Sequence, residues 1–178
     1  MIWMVDIMVI QIDSREKSRA IKKIVEEFDR QGIQHPVSKL IVGDYMNYDN
    51  PRLIIDRKQD LQEICGNVRQ DHERFKRELL KAMDAGIQLV ILIEHGPDIR
   101  CLEDVYFFYQ PETTRWRWKT VEVGGKKKNV REQYQQKAIN GKTLYKSFCT
   151  IRDRYNVRFE FCEKKDTGKE IIRILKGE

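Results

Sequence analysis

Val42-Gly43-Asp44-Tyr45 and Ile54-Ile55-Asp56-Arg57-Lys58, with eleven residues between Asp44 and Asp56, decide how this chain is read. The second stretch is an apolar run that closes on acid-any-lysine. Strand side chains alternate between faces, so Asp56 and Lys58 point the same way. Two carboxylates can hold a hard cation such as Mg²⁺ through oxygen. A cation, two carboxylates and a lysine at one strand end are the parts needed to activate water against a phosphodiester. Each piece alone is weak. An Asp after a Gly is usually a turn residue, and Arg57 with Lys58 also reads as ordinary surface charge.

Working outward, a third acidic group strengthens the reading. Ile12-Asp13-Ser14-Arg15-Glu16 ends the first apolar run of the chain. Three strand ends carrying acids would meet in one crevice, the place where α/β sheets hold ligands. The residues themselves thus point to a metal-dependent phosphodiesterase.

The remaining pattern alternates between strands and helices. Residues 5–13 read as a central strand, and 14–31 as a helix with Ile21, Ile24, Val25 and Phe28 inward. Residues 34–42 and 52–58 read as strands of a hairpin around an Asn- and Asp-rich turn. Asp60-Leu61-Gln62-Glu63 has the form of a capping box. The stripe Ile64, Val68, Phe75, Leu79, Met83 continues the helix to Gly86, with a break expected near Gly66. Residues 87–94 are a buried strand, 143–155 a helix, 157–162 a short strand and 169–176 a final helix. At the start of that last helix, Asp166 or Thr167 reads as its N-cap. This order predicts an α/β sandwich with a central mixed sheet flanked by helices. The chain reads as one domain over residues 1–178, with an insertion at about 97–138.

Composition narrows the class. At 178 residues the chain can bury a sizeable core. The four cysteines, Cys65, Cys101, Cys149 and Cys162, form no CxxC pair and read as reduced thiols of a cytoplasmic protein. His35, His72 and His95 are scattered, which argues against zinc. The apolar start, residues 1–12, is interrupted by Asp6 and is too short to span a membrane. It also lacks the flanks of a signal peptide.

The net charge of +6 sits in one place. Residues 115–137 carry eight basic residues against two acidic ones, the whole excess of the chain. A concentrated basic segment favours a polyanionic partner. Residues 113–123 alternate as a strand, Gly124-Gly125 reads as a hairpin turn, and residues 126–133 return. In Arg115-Trp116-Arg117-Trp118-Lys119 indoles and cations interleave, so the indoles could stack on unpaired bases while the cations meet phosphates. Lys126, Lys127 and Lys128 would extend that surface. The same alternation could instead bury both Trp against the domain or a second subunit. Phe107-Phe108-Tyr109 leaves the choice between core and interface equally open.

Taken in order and at their spacing, Asp13-Ser14-Arg15-Glu16, Gly43-Asp44-Tyr45 and Asp56-Arg57-Lys58 resemble the XPF-type nuclease domain. That domain belongs to the restriction-endonuclease-like PD-(D/E)XK folds. The resemblance covers residues 8–95, and 138–176 more loosely, and its size is similar to stand-alone phage-borne members. It implies that Asp44 and Asp56 ligate Mg²⁺ or Mn²⁺, with the backbone carbonyl of Arg57 as a third ligand. Lys58 would orient or help deprotonate the attacking water. Asp13 and Glu16 would stand at the edge of the metal site. Arg15 and Arg57 would steady the phosphate or the carboxylates as planar forks. Two positions depart from the family pattern. Asp56 stands where the family has Glu, and Gln62 where it has an acid. On this resemblance the 178 residues would not hold the tandem helix-hairpin-helix module of cellular relatives, and the basic arm would take part of its role.

The resemblance implies a metal-dependent endonuclease on branched, flap or junction DNA in recombination, repair or replication. It also implies a homodimer, in the cytoplasm of a bacterial or phage-infected cell. The alternative is a DNA-binding recombination or packaging accessory whose nuclease site is weak or idle.

Overall fold

A computed structural model describes residues 8–178, so the strand expected from residue 5 begins outside the described residues and β1 covers Ile10–Asp13. It is followed by α1 (Ser18–Arg30), β2 (Val37–Ser38), β3 (Tyr45–Asn47), β4 (Asn50–Lys58), α2 (Leu61–Arg69), α3 (His72–Asp84) and β5 (Gln88–Glu94). After a 3-10 turn at Asp104–Phe107 come β6 (Tyr109–Gln110), β7 (Thr113–Val123), β8 (Lys126–Gln136) and β9 (Ile139–Asn140). The chain then forms α4 (Gly141–Tyr155), β10 (Arg158–Cys162) and α5 (Thr167–Lys176).

Six strands form one mixed sheet in the order β10-β5-β4-β3-β1-β2. The β10-β5-β4 part and the β1-β2 edge are parallel, whereas β3 runs antiparallel to both of its neighbours. Strand alternation builds two cores. Ile54, Leu89, Ile91 and Ile93 pack with Leu61, Ile64, Phe75, Leu79, Leu144 and Phe148 of α2, α3 and α4. Leu53, Ile55, Val90 and Leu92 pack on the other face with Ile21, Ile24 and Phe28 of α1 and Ile171, Ile174 and Leu175 of α5. The result is the three-layer α/β arrangement that the element order predicts, with helices on both faces of a mixed sheet.

Local differences from the expected elements have identifiable causes. The hairpin is β3–β4, not a pairing of residues 34–42 with β4. Of the expected second strand, Val37 and Ser38 form β2, parallel to β1 on its far side, and Gln34 adds an isolated parallel bridge to Val9. Beyond them the Leu40 N–H donates to Asp13 Oδ2 at 2.6 Å rather than to a strand. Helix α1 starts at Ser18 because Asp13 holds the preceding turn, accepting from the Arg15 N–H at 2.8 Å. The helix break falls at Gln70-Asp71, where both N–H groups close onto the Gly66 carbonyl. Ala82 rather than Met83 then points inward. No helix of the described residues is long and apolar enough to cross a membrane.

The basic segment is an antiparallel ribbon, β7–β8, paired from Thr113–Gln136 to Val123–Lys126. It rises from the short β6–β9 pair between β5 and α4. Gly124 and Gly125 turn it with φ of 60° and 74°, conformations that suit glycine in a tight hairpin turn.

Candidate active site

Asp44 precedes β3 and is fixed from three sides. Its carbonyl accepts from the Asp13 N–H at 2.8 Å, and its own N–H donates to the Ile55 carbonyl at 2.7 Å. Its Oδ2 accepts from the Arg57 N–H at 2.8 Å. The preceding Gly43 has φ of 67°, and a Cβ there would lie 2.6 Å from Ile54 Cγ2 and 2.9 Å from the Ile55 oxygen. Only glycine lets the chain pass this close to β4 and present the Asp44 carboxylate at its end.

Asp56 and Lys58 share a face of β4 with the buried Ile54. Lys58 Nζ lies 2.8 Å from Asp56 Oδ1 and 5.9 Å from the centre of the Phe75 ring on α3. Burial works to lower the Lys58 ammonium, but the charge and hydrogen bond of Asp56, with Asp44 beyond, raise it above the usual lysine range. Asp44 moves well above the carboxylate range, first through burial and then through the charges of Asp56 and Glu16. The three predicted residues Asp44, Asp56 and Lys58 therefore form one interacting group.

Arg57 points to the opposite face, and only 2% of its side chain is exposed. Its Nη1 donates to Glu94 Oε1 at 2.8 Å, and its Nη2 to Glu16 Oε2 at 3.1 Å. Tyr45 Oη donates to the same Glu16 oxygen at 3.0 Å. Thr167 Oγ1, at the start of α5, donates to Glu94 Oε1 at 3.0 Å. Asp166 makes no side-chain cap there. Of the two targets expected for the Arg57 fork, phosphate or carboxylate, the structure has the carboxylates. With its Nε, Nη1 and Nη2 donating to these two acids and its side chain buried, the Arg57 guanidinium faces the carboxylates rather than solvent.

Asp13 and Glu16 part company. Asp13 is fully buried and turns to Arg15, whose Nε and Nη2 donate to it at 2.6 and 3.1 Å. Burial works to raise the Asp13 carboxyl, but Arg15 and the Leu40 N–H outweigh it and hold it below the usual range. Glu16 instead reaches the site through Arg57 and Tyr45. Glu94 and Tyr45 have no role in the sequence reading, and Thr167 has only that of an N-cap. Glu94 carried a readable signal, because it closes the apolar run Leu89-Val90-Ile91-Leu92-Ile93 as Asp56 closes that of β4.

The Asp60 half of the capping box forms, while Glu63 reaches back one residue beyond the N-cap. Asp60 Oδ1 accepts from the Glu63 N–H at 2.8 Å, and Glu63 Oε2 accepts from the Gln59 N–H at 2.9 Å. It thus orients α2 immediately after the Asp56–Lys58 strand end. Gln62, where the family pattern has an acid, has its Oε1 buried without a hydrogen-bond partner.

Among the described residues no group of three or more His, Cys, Asp or Glu side chains is arranged to hold a metal. The candidate donors are the carboxylate pair, Asp44 and Asp56. Their oxygen-only character and mutual repulsion suit a hard divalent cation rather than a soft one.

In the arm, Trp116 and Trp118 are 55% and 70% exposed, so neither is buried against the domain. Phe107 and Tyr109 are also exposed, while Phe108 packs against the α2–α4 core.

Comparison with known proteins agrees with this architecture. XPF from Aeropyrum pernix superposes with a TM-score of 0.59 at 16% identity, covering 95% of this chain and 66% of that one. A second structure of that protein, in complex with DNA, matches with a TM-score of 0.59 at 15% identity, covering 94% and 63%. The chain thus spans somewhat less than two thirds of these structures, and at such identities the likeness establishes the fold. No curated protein matches the sequence. The ERCC4 domain model matches residues 12–175, nearly the whole chain, and the protein belongs to the ERCC4 domain family.

Proposed function

We propose that the protein is a divalent-metal-dependent DNA endonuclease acting on branched, flap or junction DNA. The observation that carries this reading is the grouping of Asp44, Asp56 and Lys58 at one end of β4, with Lys58 Nζ 2.8 Å from Asp56. Membership of the ERCC4 domain family and the XPF-like fold support the same conclusion.

Asp44 and Asp56 would hold Mg²⁺ or Mn²⁺, with the Arg57 carbonyl as a further oxygen donor. A cation held there supplies Lewis acidity at the phosphate and lowers the pKa of bound water. The chain's own residues do the rest. Lys58 offers N–H donors that orient the attacking water, and its charge offsets the negative charge developing on the phosphate. Arg57 holds Glu16 and Glu94 behind the strand, which fixes the spacing of Asp56 and Lys58. Arg15, half exposed and anchored to Asp13, is the guanidinium placed to steady a phosphate. The basic arm supplies the wider DNA contact.

A substrate panel tests the reading. Labelled flap, fork, Holliday and linear duplex DNA are incubated with the protein in Mg²⁺, Mn²⁺ or EDTA. Cleavage of the branched substrates in either metal and none in EDTA is expected. Binding without cleavage in either metal would overturn the enzyme reading and favour a DNA-binding accessory.

A further inference from the structure

The sequence interleaves indoles and cations, but the ribbon separates them. Opposed residues of an antiparallel pair share a face, and neighbours along a strand do not. Trp116 and Trp118 therefore lie on one face with their partners Gln133 and Arg131. The Arg131 guanidinium carbon stands 5.3 Å from the Trp116 ring centre and 6.0 Å from that of Trp118, a stacked aromatic-cation surface open to solvent. Arg115, Arg117, Lys119, Lys126 and Lys128 lie on the other face, opposite Tyr134, Glu132, Val130, Val123 and Val121. Glu132 accepts from Arg117 Nε at 2.7 Å and from Lys119 Nζ at 3.1 Å. Arg115, Lys126 and Lys128 have no acidic partner among the described residues.

The two faces suit different parts of a nucleic acid. On the indole face the charges are Lys127, Arg131 and Glu122, so this face gains from base stacking more than from phosphate attraction. The opposite face carries five cations against Glu132 and suits a phosphate track. One strand of DNA cannot lie on both faces at once.

We propose that the arm is a pin that divides a DNA junction. An unpaired strand stacks on Trp116, Trp118 and Arg131, and the phosphates of the adjoining duplex run along Arg115, Lys126 and Lys128. Eleven residues per strand give the ribbon a length of roughly 37 Å, enough to follow several nucleotides on either side. This rests on the DNA-directed reading above, and it assigns the two faces of the arm to the two sides of a junction.

The test measures binding in EDTA, so that metal-dependent cutting plays no part. Affinities for oligo(dT), for linear duplex and for a fork with 2-aminopurine in its unpaired arm are compared across two variants. Trp116→Ala with Trp118→Ala should weaken oligo(dT) binding by about tenfold or more and abolish the 2-aminopurine change, with duplex affinity held. Lys126→Ala with Lys128→Ala should do the reverse, weakening duplex binding and flattening its salt dependence. Thermal melting of both variants checks that the core remains folded. Equal losses on both DNA forms in both variants would mean one shared surface and would overturn the pin. So would unchanged DNA binding with a change in oligomeric state, which would make the arm a subunit contact. A pin confirmed in a protein that never cleaves DNA would defeat the nuclease reading alone. Cleavage without the split in affinities would defeat the pin alone.

Discussion

Arg57 Nη1 lies 2.8 Å from Glu94 Oε1, on the face of β4 opposite Asp56 and Lys58. The arginine at the centre of the acid-arginine-lysine motif thus supports the strand from behind. It joins β4 to the end of β5 and, through Glu16, to the turn after β1. Removing one partner of a buried ion network leaves uncompensated charge in the interior. Arg57→Ala should therefore destabilise the fold by about 3–5 kcal/mol in urea unfolding. Arg57→Lys should rescue little, because one ammonium cannot span both acids as a planar fork does. A loss under roughly 1 kcal/mol would contradict the network's structural role.

Thr167→Val removes the hydroxyl that donates to Glu94 at 3.0 Å while keeping the side chain's shape. Stability should fall by about 1–2 kcal/mol, the net worth of one buried hydrogen bond to a carboxylate oxygen that keeps Arg57 as its other partner. Cleavage should fall with it only through the position of Arg57, so KM for DNA should stay near wild type. A large rise in KM would place Thr167 in direct contact with DNA instead.

Asp13 gives a pH signature. Its carboxyl is held below its ordinary value of 3.8 in the folded state. A carboxylate of lowered pKa adds stability that is present above its unfolded value and is lost as pH falls through its folded value. Asp13→Asn should thus be destabilised by about 1–3 kcal/mol at neutral pH. The gap from wild type should close as the pH falls below 3.8. A gap independent of pH in guanidinium unfolding would show that the Asp13 charge does not matter.

Much of this was legible in the sequence because it is local. Alternation in β4 put Asp56 and Lys58 on one face, and the capping pattern Asp60 to Glu63 marked the start of α2 within a residue. The β3–β4 hairpin was misplaced because Leu40 and Val42 are buried like strand residues while the backbone bonds to the Asp13 side chain instead of a ladder. The partners of Glu94 and Thr167 could not be read from the sequence, because they depend on β5, β4 and α5 meeting in space. The arm shows the opposite case. Its alternating composition was plain, but only the cross-strand register separates the indoles from the cations.

Binding of a cation to native protein alone stabilises it by mass action. Saturating Mn²⁺ should therefore raise the melting temperature of wild type by roughly 5–10 °C. In EDTA, Asp44→Asn should melt no lower than wild type, since it removes a buried charge crowded by Asp56 and Glu16. The same variant should lose most of the Mn²⁺-dependent rise. A full rise in Asp44→Asn would move the metal elsewhere.

The most direct measurement is single-turnover cleavage of one labelled fork in Mn²⁺ by wild type, Asp44→Asn and Lys58→Ala, with binding followed in parallel. Wild type should cut, and each variant should bind the fork yet cut at least roughly a hundredfold more slowly. Equal rates for wild type and either variant would contradict the assignment of Asp44, Asp56 and Lys58 as the catalytic group.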